Sequence, residues 1–325
     1  RGRDRRRHLD HALGTGTATQ PRCLKVLALF GPTAVGKTGV AIGVAERLRE
    51  RGEDPVAVNC DSIQVYRGLE TLSGAATKQE RALLEHRLLS FVEPSEEFSA
   101  GRYAELAHAE IDSLLEGGRR PIVVGGTGLY LRAALADIDL RPPVPAELRD
   151  EVERELAERG PEALHAELEP ELAETVDPND RKRIARLTEL SRAGIEAARG
   201  GDGLWTAQVR HPTLLVGLTI DRGELAGRID ARVEAMVAEG AAEEASGAAE
   251  EGASRTARSA LGFEQLLWDI DAAPSAETIE AVKAAHRAYA RRQLTWMRRM
   301  EGVTLIDRSG RTDDEVAAEV VWALG

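Results

Sequence analysis

The octapeptide Gly31-Pro32-Thr33-Ala34-Val35-Gly36-Lys37-Thr38 restricts the fold of this chain more than any other feature. It matches G-x-x-x-x-G-K-[ST] in full, follows an apolar run at 25–30 and opens a helical stretch at 38–51. A strand that turns through glycines into a helix offers backbone N–H groups to a phosphate, and the helix N-terminus adds positive potential. Lys37 supplies a point charge for the terminal phosphate and Thr38 a hydroxyl for Mg²⁺. All eight residues are therefore candidate phosphate ligands, with Thr38 the candidate metal ligand. The motif specifies a polyphosphate and leaves its organic part open.

Short apolar runs resembling the first recur at 56–60, 88–92, 122–124 and 214–218. Helical stretches at 38–51, 78–85 and 99–116 separate the first four runs. Alternation of strand and helix predicts an α/β fold, a P-loop NTPase-like parallel sheet flanked by helices. After Leu140 the texture changes. The segment Arg141-Pro142-Pro143-Val144-Pro145 breaks the alternation, and long charged helical stretches follow at 146–174 and 179–199. The expected organisation is a flexible basic tail at 1–22, a first part of the core at 23–141, an inserted all-helical subdomain at 142–211, and the rest of the core at 212–325. That last part carries helices at 222–251, 260–270 and 276–300 and a closing strand at 303–306. The acidic Ala/Glu/Gly run at 234–251 reads as a solvated helix face.

Two further segments fall at the carboxyl edge of such a sheet, where ligands of this architecture sit. The second strand leads into Asp61-Ser62-Ile63-Gln64-Val65-Tyr66, placing Asp61 beside the phosphate loop. A carboxylate there can hold Mg²⁺ through water, take a proton from a nucleophile, or simply cap a turn. The fourth strand leads into Gly125-Gly126-Thr127-Gly128-Leu129-Tyr130, where glycines around one threonine are expected to let the backbone approach a ligand.

Together these segments resemble the tRNA dimethylallyltransferase (isopentenyl-pyrophosphate tRNA transferase) family. GPTAVGKT, DSIQVYRGL and VGGTGLYLRAAL occur in the family's order and spacing. So do Asp177-Pro178-Asn179-Asp180-Arg181-Lys182-Arg183, the helix Arg228-Ile229-Asp230-Ala231-Arg232-Val233, and Arg291-Arg292-Gln293-Leu294-Thr295-Trp296-Met297-Arg298. The resemblance implies transfer of a dimethylallyl group from dimethylallyl diphosphate to N6 of the adenosine just 3′ of the anticodon, tRNA position 37, with Mg²⁺ present. It assigns Asp61, Thr127 and Arg232 to the reacting centre, Asp61 as base and Arg232 on the leaving diphosphate. It implies contact of Asp61, Ser62, Ile63, Gln64, Lys182, Arg183, Arg186, Arg287 and Arg291 with the tRNA anticodon stem-loop. Two segments depart from the family pattern. Leu72-Ser73-Gly74-Ala75-Ala76-Thr77 stands where IGTAKP is usual, and Glu264 replaces an expected base in Leu261-Gly262-Phe263-Glu264-Gln265.

Charge bears on the partner. The 43 Lys+Arg and 55 Asp+Glu leave a net charge of −12, which by itself disfavours nucleic acid. The basic residues are clustered, however. Arg181, Lys182, Arg183 and Arg186 form one group; Arg287, Arg291, Arg292, Arg298 and Arg299 form another, with no acidic residue between Ala281 and Met300. At helical spacing Arg287, Arg291 and Arg298 share a face and Ala290, Leu294 and Met297 another. Tyr289 and Trp296 interleave and could support stacking. No apolar run approaches the ~20 residues that span a bilayer. Two cysteines, Cys23 and Cys60, fit a reducing, cytoplasmic setting. No membrane or obligate protein partner is expected. A kinase on the same fold, or a nucleotide-gated binding protein, would share the phosphate loop; neither needs the basic platforms.

Overall fold

The computed structural model describes residues 25–138, 140–196, 206–267 and 273–325. The tail at 1–22, Cys23, and the ends of the helices expected at 179–199 and 260–270 lie outside the described residues.

Six parallel strands form one sheet: β1 (Val26–Phe30), β2 (Pro55–Asn59), β3 (His86–Arg87), β4 (Arg120–Gly125), β5 (Thr213–Thr219) and β6 (Val303–Asp307), in the order β3-β2-β4-β1-β5-β6. Every residue of β1 is buried, because helices cover both faces of a parallel sheet. The pleat sends Val26, Ala28 and Phe30 into one core and Leu27 and Leu29 into the other. The first core includes Tyr103, Ile111 and Leu114 of Ala100–Glu116, and apolar residues of Gly128–Leu135, Arg222–Ala238 and Ala276–Arg299. The second is built on Lys37–Glu50 and Asp313–Leu324. Between β4 and β5 the chain makes the helices Ala146–Arg159, Pro161–His165, Pro170–Ala173 and Arg181–Arg192, which close on a small core of their own around Val152, Leu164 and Ile184. The architecture is the P-loop NTPase-like one, with an all-helical insertion.

Several elements differ from the expectation for local reasons. The strand expected at 88–92 forms two residues earlier and ends at Arg87, because Leu88 and Ser90 take positive φ; of the expected segment only an isolated bridge, Tyr66 to Val92, remains. The single helix expected at 146–174 is three, interrupted by Gly160 at φ +82 and by prolines that start the next two helices. Gly240, at φ +100, likewise divides 222–251 into Arg222–Ala238 and Ala241–Glu250. The second of these is not simply solvated. Its Ala241, Ala245 and Ala248 are buried, and Glu244 accepts from the Thr71 and Leu72 N–H groups at 2.9 and 2.8 Å. The helix Asp313–Leu324 was not anticipated, although Thr312 and Glu315 form the capping box that marks its start.

Candidate active site

The phosphate loop, Asp61 and Thr127 leave the sheet after β1, β2 and β4, which are adjacent in the order β2-β4-β1. Neighbouring parallel strands end side by side, so the three segments meet at one edge. They line a cavity of about 310 Å³ together with Thr33, Lys37, Thr38, Ser62, Ile63, Gln64, Arg232 and Lys182. Lys182 comes from the helical insertion and Arg232 from Arg222–Ala238, so three parts of the chain close on the loop.

Lys37 donates to the carbonyls of Gly31 and Pro32, both at 3.1 Å. Burial, reinforced by the nearby Arg232 charge, lowers its pKa to about 8, against the opposing pull of Asp61. Arg232, also pushed down by burial, donates to the Ser73 carbonyl at 2.9 Å. Gln64 donates to the Gly74 carbonyl at 3.1 Å, so the 73–74 turn is pinned from both sides. Asp61 accepts from the Ile63 N–H at 3.0 Å. It therefore both caps a turn and faces the cavity; the two roles are compatible because a carboxylate has several lone pairs. Thr127 stands within 3.4 Å of the hydroxyls of Ser62 and Tyr289.

The long helix Ala276–Arg299 contributes more than charge. His286, Tyr289 and Gln293, spaced three and four apart, share one face and line the cavity. Gln293 is buried and bridges two loops, accepting from the Thr33 N–H at 2.7 Å and donating to the Gly126 carbonyl at 2.7 Å. Arg292 lies over the Tyr289 ring at 5.4 Å. Burial keeps His286 below the usual imidazole range and raises the Tyr289 phenol. The site role of Gln293 was missed from sequence, although its spacing from Tyr289 carries the signal.

The glycines after β4 serve a different purpose from the one expected. A Cβ at Gly126 would meet Gln293 Nε2 at 2.2 Å, and one at Gly128 would meet the Trp296 ring at 2.1 Å. They admit the long helix Ala276–Arg299 rather than a ligand. Among the expected tRNA contacts, Lys182 lines the cavity and Arg183 and Arg291 are exposed. Arg186 is engaged internally, donating to the Pro142 carbonyl at 2.6 Å and pairing with Glu189 at 3.1 Å. Arg287 pairs with Asp230 and, at 3.5 Å, with Glu280. Glu264 pairs with Arg258 at 2.9 Å beside Phe263, so the departure at this position is balanced by a base nearby.

Known proteins resemble this chain in sequence and fold. The family model described as IPP transferase matches residues 64–300. A tRNA dimethylallyltransferase of Anaeromyxobacter dehalogenans (strain 2CP-C) is 41% identical over 291 residues, covering 87% of this chain and 95% of the relative. One from Rhodopirellula baltica is 38% identical over 84% of this chain and 85% of its own. The solved full-length tRNA isopentenylpyrophosphate transferase of Bacillus halodurans superposes with a TM-score of 0.67 at 32% identity, covering 92% of this chain and 95% of that one. A phosphate loop joined to Asp61, Thr127 and Arg232, likeness over nearly the whole length and a shared fold lead to one conclusion: this chain belongs to the IPP transferase family, the tRNA dimethylallyltransferases.

Proposed function

We propose that the cavity is the prenyl-transfer site, where the dimethylallyl group of dimethylallyl diphosphate passes to N6 of the adenosine at tRNA position 37. The convergence of Lys37, Asp61, Thr127, Arg232 and Lys182 on one cavity is the observation that carries this reading. The cations suit a diphosphate, and the same cavity holds an acceptor carboxylate and a hydroxyl.

The N6 lone pair attacks the allylic carbon, the carbon–oxygen bond breaks, and its electron pair leaves on the diphosphate. Lys37, Arg232 and the loop N–H groups offset the charge that grows there, which is the largest lever an enzyme of this kind has. Asp61 takes the proton released by N6, and Thr127 orients the amine. A target adenine must leave its stack to enter a cavity of this depth. The anticodon stem-loop is held by Ser62, Ile63 and Gln64 at the rim and by Lys182, Arg183 and Arg291, with Arg186 and Arg287 supporting them through the partners already described.

Thr38 offers a hydroxyl at the cavity, a hard oxygen that fits Mg²⁺. Among the described residues no group of three or more His, Cys, Asp or Glu could hold a metal, so diphosphate oxygens and water would complete the coordination. When bound, Mg²⁺ would neutralise charge on the leaving group. No helix among the described residues is long and apolar enough to cross a membrane, and we assign the reaction to the cytoplasm.

The test is incubation with labelled dimethylallyl diphosphate and unmodified tRNA, followed by nucleoside analysis. Labelled N6-isopentenyladenosine is the expected product. Phosphoryl transfer from ATP without prenylation would replace this reading with a kinase.

A further inference from the structure

We infer that Arg308, in the turn after β6, is a positioning residue that fixes the phosphate loop in its diphosphate-binding shape. It lies outside the residues matched by the family model. Its side chain is only 4% exposed, and its guanidinium, which does not line the cavity, donates to the Val35 carbonyl. Asp313, the first residue of the C-terminal helix, holds the same guanidinium at 3.0 Å. The Arg308 backbone N–H is tied to the Thr219 carbonyl at 2.9 Å, so its Cα is anchored to the sheet.

Peptide geometry makes this contact matter. The described peptide bonds are all trans, so the Val35 carbonyl and the Gly36 N–H point in opposite directions. Drawing the carbonyl outward to Arg308 turns the Gly36 N–H inward, to the hollow of the loop. The loop needs such a restraint, because Ala34 is held at φ +62 and Gly36 at φ +93. A non-glycine residue in the left-handed region is strained and persists only where its surroundings hold it there. A Cβ at Gly36 would also meet the Arg308 Nη1 at 1.8 Å, so the glycine and the arginine fit one another. Burial lowers the Arg308 pKa and the Asp313 charge opposes that shift; an arginine so placed remains a cation at neutral pH.

The inference rests on the reading of the loop as the donor cradle, and direct titration separates the two. Binding of inorganic diphosphate with Mg²⁺ is measured by calorimetry on the full chain, wild type against Arg308→Met. The expected result is a loss of about tenfold or more, the worth of a hydrogen bond from a charged donor. The KM for dimethylallyl diphosphate should rise in step while the KM for tRNA stays constant. Arg47→Met, which breaks an ion pair to Asp314 on the same helix without touching the loop, is the structural control and should change neither. If Arg308→Met does not fold, Asp313→Asn decides, with an expected weakening of about threefold. Diphosphate affinity within twofold of wild type in the folded variant, or an equal rise in both KM values, overturns the inference. Failure of the wild type to bind diphosphate would overturn the cradle reading instead.

Discussion

Gln293 offers a sharp test of how the long helix Ala276–Arg299 is coupled to the phosphate loop. Its amide makes two 2.7 Å hydrogen bonds, to the Thr33 N–H and the Gly126 carbonyl, and it is 4% exposed. Gln293→Leu preserves volume and leaves both backbone groups without that partner. A buried polar group left unsatisfied costs about 1–3 kcal/mol. The Gly126 carbonyl keeps a long hydrogen bond from the Tyr289 hydroxyl at 3.4 Å, and Thr33 lies at the cavity wall where water reaches it, which puts the loss at about 2–4 kcal/mol. With an unfolding entropy of about 2.1 cal/mol/K per residue, a chain of this length has ~0.7 kcal/mol/K, so Tm should fall by roughly 3–6 °C. Gln293→Glu separates geometry from polarity. Its carboxylate still accepts from Thr33 but meets the Gly126 carbonyl with a second acceptor, and it adds a negative charge beside the diphosphate. Donor KM should therefore rise more in the Glu variant than in the Leu variant, while Tm falls in both. Thermal unfolding and steady-state kinetics at saturating tRNA measure the two effects. A Tm within 1 °C of wild type together with an unchanged donor KM would refute the bridge as described.

Asp61→Asn should bind tRNA and donor with near-normal affinity and slow single-turnover transfer by roughly 10²–10⁴, the worth of a positioned base; full rescue by excess Mg²⁺ would show a metal ligand instead. Burial holds the Lys37 pKa at about 8, below the 10.5 usual for lysine, so donor affinity should be retained below pH 8 and decline above it, read as donor KM against pH. The linked effect on stability has the opposite sense: between about 8 and 10.5 the unfolded chain binds the extra proton, so stability of the donor-free protein should rise with pH across that window. Lys37→Met should abolish this component of both profiles. Arg291→Ala should weaken tRNA binding and reduce the magnitude of its salt slope by about one. Arg287→Ala, whose guanidinium is already paired with Asp230 and Glu280, should change the slope less; equal slopes for the two variants would return Arg287 to the RNA surface.

The sequence by itself determined the sheet, the phosphate loop and the family, because these depend on short-range rules. An apolar strand, a glycine turn and a helix start lie within fourteen residues, 25–38, and a motif of that kind needs no distant partner to be recognised. Asp61 and Thr127 were legible for the same reason, since the ends of adjacent parallel strands must converge. The helix breaks at Gly160 and Gly240 are also encoded locally, by the glycines themselves and by Pro161 after the first. Other features were decided only by tertiary contact. The reach of Gln293 across 260 residues to Thr33 and of Arg308 across 273 residues to Val35 depends on which helix packs against the loops and on β6 lying beside β5, one strand away from β1. The same holds for the glycines at 126 and 128, which a chain reading assigns to a ligand and the packing assigns to Gln293 and Trp296. Arg186 and Arg287 read as surface cations until their internal partners are placed. Periodicity states which face of a helix a residue occupies; what stands opposite that face is fixed by the packing of the whole chain.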